Sequence, residues 1–498
     1  MSVGVIARQG FKASISNYIG MGLGFLSLFI LFPKFFEPEK LGAIRLFIEL
    51  GTVLSALGLM GTHYSINRFF PYFKTQDHKH HGFFFWALVF PLIGYSILTL
   101  VLLIAGKPIF LFLNANALAY KDLFPYLLAL VFIILYQVVS EVTCANHARI
   151  AVPNFNREVL LRGLLIVCGA MYYFSWVSFS QCVALMVVAY SIALASNIWF
   201  LRQLTPIHLK PDFKFLKANP TIQKEALSFT ALLFFSGISS LLYTKMDFFM
   251  ISALKQDLSQ VAIYSIGFYL ATFIEVPKRT ILQIATPIIS SHMKEENYAA
   301  VRDLNKKNGN NQLLISGMLF FLIWLNIDNL YAIMPRGDFY VQGKWVVFFI
   351  GISKLIDAVV SGNSPILVNS KFYGLSVISI VVALISSFAY NYYFISHYGI
   401  IGAAISTILV MLSVNLCNVI VVHVKLNISP FHTDQIKILL LLSLFFCVPM
   451  LGNWVNNPYL DSLLKTGIVG PIMVFSIYKL KISETFNQLL QSKIKWLN

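Results

Sequence analysis

Apolar runs separated by short polar turns succeed one another from one end of the chain to the other. Runs over 20–32, 46–60, 83–104, 123–139, 160–177 and 182–200 fill the first 200 residues. Each reads as a helix crossing the ~30 Å hydrocarbon core of a bilayer at ~1.5 Å per residue. Further helices are predicted near 222–253, 258–291, 307–334, 340–369, 372–397, 399–425, 433–452 and 457–480, fourteen in all. The second (about 39–70) and the eighth (258–291) are too long for a single crossing. They should bend, the one near Pro71 and the other near Pro277 and Pro287. No water-soluble segment exceeds roughly twenty-five residues, so any activity is built inside the bilayer or at its faces.

The helix order repeats. A shift of about 219 residues lays Leu41-Gly-Ala-Ile44 on Gln260-Val-Ala-Ile263. It also lays the run from Lys121 to Tyr126 on that from Tyr340 to Trp345, and brings Pro71 close to Pro287. Six helices per repeat is an even number, so the halves share orientation and relate by an axis along the membrane normal, a transporter plan with its substrate site between the repeats. The expected organisation is an N-terminal six-helix lobe (1–203), a cytoplasmic linker (204–221), a C-terminal six-helix lobe (222–426), and two extra helices with a short cytoplasmic tail (427–498). The first helix of each repeat is rich in small residues, with Gly20, Gly22 and Gly24 in one and Ser236, Gly237, Ser239 and Ser240 in the other. Close helix packing accounts for such residues; flexing during alternating access is the functional alternative.

Composition agrees with a polytopic membrane protein: 58% hydrophobic residues, mean hydropathy +0.74 and 12% charged residues. A net charge of +16 would suggest nucleic acid in a soluble protein, but its distribution argues otherwise. Arg8 and Lys12 precede the first run, with no small-residue cleavage site after it, so the run reads as an uncleaved helix. With that end cytoplasmic, the inner set holds Arg68, Lys74, Lys79, Arg149, Arg157, Lys210, Lys214, Lys217, Lys224, Lys294, Arg302, Lys306, Lys307, Lys371, Lys425, Lys437, Lys479, Lys481, Lys493 and Lys495. The outer set holds only Lys34, Lys40, Lys107, Lys121, Lys255, Arg336 and Lys344. An excess of roughly three to one puts both termini inside. The charge is then an orientation signal and a contact for anionic lipid, with no nucleic-acid partner. Cys144, Cys168, Cys182, Cys417 and Cys447 all fall in apolar runs without metal-ligand spacing, so they read as small buried hydrophobes and imply neither metal nor disulfide.

Three local segments carry a family resemblance. Glu39-Lys-Leu-Gly-Ala-Ile44, Asn67-Arg-Phe-Phe-Pro-Tyr72 and Lys245-Met-Asp-Phe-Phe-Met-Ile251 resemble the opening and end of helix two and a stretch of helix seven in the multidrug/oligosaccharidyl-lipid/polysaccharide exporter superfamily. Within it, the chain resembles the polysaccharide-biosynthesis (Wzx-like) flippases, over nearly its whole length. It departs from them at Phe248, where the family often carries Arg. The resemblance implies an all-α bundle that flips a polyprenyl-pyrophosphate-linked oligosaccharide across the bacterial inner membrane by alternating access. The product would serve O-antigen, capsule or exopolysaccharide assembly beside polymerase and ligase machinery. No cofactor is implied.

Ionisable residues within spans are costly and face a wet cavity or a partner. Arg45 and Glu49 are i,i+4 in helix two and so lie on one face. Lys245 and Asp247 share helix seven, Glu275, Lys278 and Arg279 helix eight, and Lys354 and Asp357 are i,i+3 in helix ten. Glu141 and His147 end helix four, and Arg162 begins helix five. Lys278, Arg279, His147 and Arg162 have snorkelling to the interface as an alternative, and Lys354–Asp357 a structural lock. A pyrophosphate crossing a low-dielectric slab calls for fixed guanidinium and ammonium groups. Arg45, Lys245, Arg279 and Lys354 are therefore the expected substrate cavity. Glu49, Asp247, Glu275 and Asp357 would hold these cations or couple to an ion gradient. Two readings of the same superfamily stay open: a cation-coupled multidrug antiporter, whose cavity should be acidic, and a peptidoglycan lipid-precursor flippase. A membrane-embedded glycan polymerase or ligase is remote. The longest outer loop (106–121) is short, and the chain carries neither a DxD pair nor a GxxxxGK[ST] phosphate loop.

Overall fold

The computed structural model describes residues 3–75, 80–113, 123–206, 208–213, 220–372, 374–448, 452–480, 482–483 and 486–488. Among them the regular structure is entirely helical. The spans, in chain order, are α1 (Arg8–Phe35), α2 (Pro38–Gly58), α3 (Phe83–Leu113), α4 (Phe124–Asn146) and α5 (151–173). Then come α6 (Phe179–Leu204), α7 (Pro220–Lys255), α8 (Leu258–Lys294), α9 (Tyr298–Leu325) and α10 (Gly337–Val359). The last four are α11 (374–398), α12 (400–426), α13 (Thr433–Phe445) and α14 (Pro458–Lys479).

Among the described residues ten helices are long and apolar enough to cross a membrane, and the rest of the fourteen follow from local breaks. The 53-residue helix Gly374–Leu426 is divided at Gly399, whose φ of 60° and ψ of −136° only glycine adopts readily. A 55° bend joins α9 to Ile327–Ile333. A π-helical turn at Asn156–Leu160 interrupts α5, and α13 has only 13 described residues. This is an all-α polytopic membrane fold. Prolines open α2, α4 and α14 at first-turn positions where no N–H is needed. A capping box of Ser178 and Gln181 opens α6.

Both long helices break, the eighth beside Pro277 and the second well before Pro71. Helix two ends at Gly58, and the chain resumes as the amphipathic segment Thr62–Phe73, turning through Met60 (φ 47°) and Gly61 (φ 74°). Pro71 lies inside that segment near its end, so the bend falls ten residues before the proline expected to cause it. A β-carbon on Gly61 would come within 2.7 Å of the Thr230 carbonyl oxygen of α7. Left-handed backbone and close approach thus both require glycine there. In α8 the break is a 3₁₀ turn at Phe273–Glu275, just before Pro277, while Pro287 is carried inside the helix.

The chain forms two compact units, residues 1–262 and 263–498. The sequence reading begins a second lobe at residue 222; here α7 packs on α2, Thr62–Phe73 and α3 within the first unit. That unit is cored by Phe47, Leu127, Leu130, Val131, Val183 and Val187 from α2, α4 and α6. In the second, Leu313, Leu314 and Phe321 of α9 meet Ile438, Leu442 and Phe445 of α13 and Met473 and Ile477 of α14. Exposed apolar side chains are abundant on the outside, as in Ile104, Val167, Trp199, Ile385 and Leu463, which suits a surface facing lipid. Lys79, Lys121, Lys214, Lys217, Lys481, Lys493 and Lys495 lie outside the described residues, as do most of the outer loop and part of the linker; α3 continues to Leu113, well past residue 106. The described cysteines are free: Cys144, Cys168 and Cys182 are buried, but Cys447, expected inside, is exposed beyond the end of α13.

Candidate functional site

In the first unit, Glu49 of α2 holds two cations. One carboxylate oxygen accepts from Arg45 Nη2 at 3.4 Å and the other from Lys245 Nζ at 2.8 Å. The i,i+4 spacing aims Arg45 at Glu49 along one helix face, while Lys245 reaches across from α7. The Glu49 side chain is only 7% exposed, so this carboxylate is buried rather than open to the outer face. Lys245 turns to Glu49 although Asp247 lies two residues away. Adjacent odd positions on a helix point about 200° apart, which separates the two side chains; Asp247 is itself buried. The Arg45 guanidinium is under-used: its Nε–H is buried without an acceptor among the described residues.

A second network follows in the same unit. Arg157 donates to Glu141 (2.9 Å), Glu158 (3.2 Å) and Asn154 (3.0 Å). Arg162 donates to Glu158 (2.7 Å) and to the Gly20 carbonyl (2.6 Å). Arg162 thus ties α5 to α1. Its partner Glu158 sits in the π-turn Asn156–Leu160, a local irregularity found often at functional sites. Gly20 is required for this approach, since a β-carbon there would meet Glu158 Cβ at 2.7 Å; Gly22 faces open space. In α7, Gly237 accommodates the Tyr64 side chain. Close packing therefore explains Gly20 and Gly237.

In the second unit the 3₁₀ turn presents Glu275 between two cations, Lys354 Nζ at 2.6 Å and Arg279 Nε at 3.1 Å. Lys278 pairs with Asp357. Lys354 and Asp357 do lock helices together, but not by pairing with each other. Each binds a residue of α8 instead, so two crossed bridges join α8 to α10. Lys278 is anchored rather than snorkelling. Arg279, with its side chain 66% exposed, keeps most of its guanidinium outside the pair.

Two buried polar features carry no expectation from the sequence. Asp461 is fully buried and accepts from Asn329, Lys465 (2.6 Å) and the backbone N–H groups of Trp454 and Val455, which fixes the turn before α14. Its i,i+4 spacing to Lys465 is the legible signal. On α9, Asn308, Gln312 and Ser316 recur one turn apart and are buried with unpartnered polar atoms. The run Asn308-Gly-Asn-Asn-Gln312 in an apolar helix is the trace of this stripe. Among the described residues no group of histidine, cysteine and carboxylates has metal-binding geometry.

Comparison with known proteins bears on the fold. No family model matches the chain, and no curated protein matches it by sequence. Solved structures do. The chain superposes on the lipid II flippase MurJ in its inward closed conformation with a TM-score of 0.70 at 14% identity, covering 93% of this chain and 99% of that one. It has the MurJ and MATE transporter fold. An inward-facing multidrug resistance MATE family transporter of the MOP superfamily gives 0.62 at 16% identity, over 90% of this chain and 96% of that one. A MOP superfamily transporter from Pyrococcus furiosus, described as having a binding pocket of reversed polarity, gives 0.53 at 14% identity over 90% and 99%.

Proposed function

We propose that this chain is a flippase of the MurJ and MATE superfamily that moves a lipid-linked, pyrophosphate-bearing oligosaccharide across the membrane by alternating access. The observation that carries this reading is the state of the intramembrane charges. Arg45, Lys245, Lys278, Arg279 and Lys354 stand against Glu49, Asp247, Glu275 and Asp357, so cations are in excess. Glu49 and Glu275 are each held by two cations and Asp357 by one. Carboxylates so engaged are poor ligands for a cationic drug. They serve instead to hold the cations in place, and Arg45 keeps a buried N–H for a further acceptor. A phosphate oxygen is the natural acceptor for such a donor.

Arg45, Lys245, Arg279 and Lys354 would meet the phosphates, with Glu49, Glu275 and Asp357 as their positioning partners. Asp247, buried on α7, completes the expected carboxylate set, which would hold the cations or couple to an ion gradient. The basic loops favour an inner-membrane protein with cytoplasmic termini. Polymerase and ligase enzymes would take the flipped product. A peptidoglycan lipid precursor carries the same pyrophosphate chemistry, and likeness to MurJ keeps that cargo as the second reading. Accumulation of lipid-linked glycans in a deletion strain, resolved by membrane face and head-group composition, distinguishes them. A complete polyprenyl-pyrophosphate oligosaccharide trapped on the cytoplasmic face supports the proposal. A trapped peptidoglycan precursor supports the second reading, and sensitivity to cationic drugs without glycan build-up contradicts both.

A further inference from the structure

An apolar groove of about 540 Å³ runs between Thr62–Phe73, the start of α3 and α7 in the first unit, apart from the charge clusters. Its lining along α7 extends from Ile222 to Phe235, fourteen residues or ~20 Å of helix. That spans one ~15 Å leaflet of a ~30 Å hydrocarbon core and reaches on into the head-group region. Its far end touches Met60 and Thr62 at the α2 break. Its side is open, since Leu227 and Phe235 line it and remain 66% and 67% exposed.

The other end is basic and polar. Arg68 lies over the Phe229 ring at 4.2 Å, midway along the α7 lining. Lys74 and Lys224 are exposed beside the lining residues Phe73 and Ile222, and Lys210 is exposed where its backbone meets Gly82 at the start of α3. Among the described residues Glu225 and Asp212 are the acids of that end, and Asp212 is taken by His81 at 3.2 Å. Trp86 lines the groove beside Phe213 (ring centroids 5.7 Å apart), and its indole N–H is buried without an acceptor among the described residues. We infer that this groove is a site for an anionic phospholipid, one acyl chain lying along α7 and its phosphate among Arg68, Lys74, Lys210 and Lys224. A sideways opening admits bilayer lipid directly, the length matches an acyl chain within one leaflet, and the cationic rim selects an anionic head group. The Trp86 N–H supplies a donor at the level where head group meets chain. The inference does not depend on the cargo proposed above.

Photoactivatable phosphatidylglycerol carrying a mid-chain diazirine, in phosphatidylcholine vesicles containing the full-length protein, tests it. Adducts should map to 60–90 and 222–235. Ala226→Trp, which fills the groove, should cut them at least fivefold, while labelling at the exposed Ile385 and Phe388 stays unchanged. Ala231→Trp, further along the groove, serves if the first variant does not fold. Arg68→Gln with Lys224→Gln should reduce the preference over the equivalent phosphatidylcholine probe by about fivefold for each cation removed. Groove peptides without adducts, equal labelling by both probes, or displacement of phosphatidylglycerol by an equimolar polyprenyl phosphate would each overturn the inference.

Discussion

Glu49 shows how much a single carboxylate decides here. With Arg45 and Lys245 both on it, removing one cation leaves the other still paired, so the fold should tolerate the loss while the cationic site does not. Arg45→Ala and Lys245→Ala are therefore expected to lower transport at least tenfold at unchanged membrane abundance, read by immunoblot beside a transport assay. Glu49→Gln should be worse for abundance, because it leaves two cations without their partner. Asp461 makes the opposite case. Asp461→Asn leaves Lys465, only 4% exposed, short of its counter-ion and should cost about 1–3 kcal/mol. That loss is read as a lower Tm in detergent with transport per folded molecule retained. A normal Tm would show that the pair contributes little to folding.

Helix breaks define the next scale, and Gly61 is the most demanding position. Gly61→Ala should destabilise the α2 break by about 1–3 kcal/mol through its positive φ and the crowding of Thr230. Pro71→Ala should do little, being past the bend. Comparing the Tm values of the two variants checks this, and equal losses would contradict the assignment of the break. Much of this scale was readable in the amino-acid order: hydropathy alone located fourteen helices, and Pro277 marked the break in α8 within a few residues. The break at Met60–Gly61 was not, because a left-handed turn follows from backbone geometry that a Leu-Met-Gly sequence does not advertise. Charge partners divide the same way. Arg45–Glu49 was legible because i,i+4 spacing fixes a helix face. Lys245–Glu49, Lys354–Glu275 and Lys278–Asp357 depend on which helices are neighbours, and spacing within one helix says nothing of that. Local pairing rules therefore favoured Lys354–Asp357, and tertiary packing overrode them.

At the scale of the whole molecule, the proposed function joins a transporter fold to a surplus of intramembrane cations, with Glu49, Glu275 and Asp357 already engaged by them. The proposed orientation, with both termini cytoplasmic, rests on the basic loops. Single cysteines placed at Ser14 and Ser476 in a cysteine-free background should resist membrane-impermeant thiol reagents in intact cells and react after permeabilisation; reaction in intact cells would invert the assignment. The claim at the centre is that the surplus cations carry an anionic head group. Its most direct test is translocation of a fluorescent polyprenyl-pyrophosphate oligosaccharide in proteoliposomes, measured by quenching at the outer leaflet, for the native protein and for Arg45→Ala. The account predicts quenchable transfer by the native protein, a loss of at least tenfold in the variant, and no transfer of a cationic dye by either. Equal transfer by both proteins, or transport of the dye alone, would contradict it.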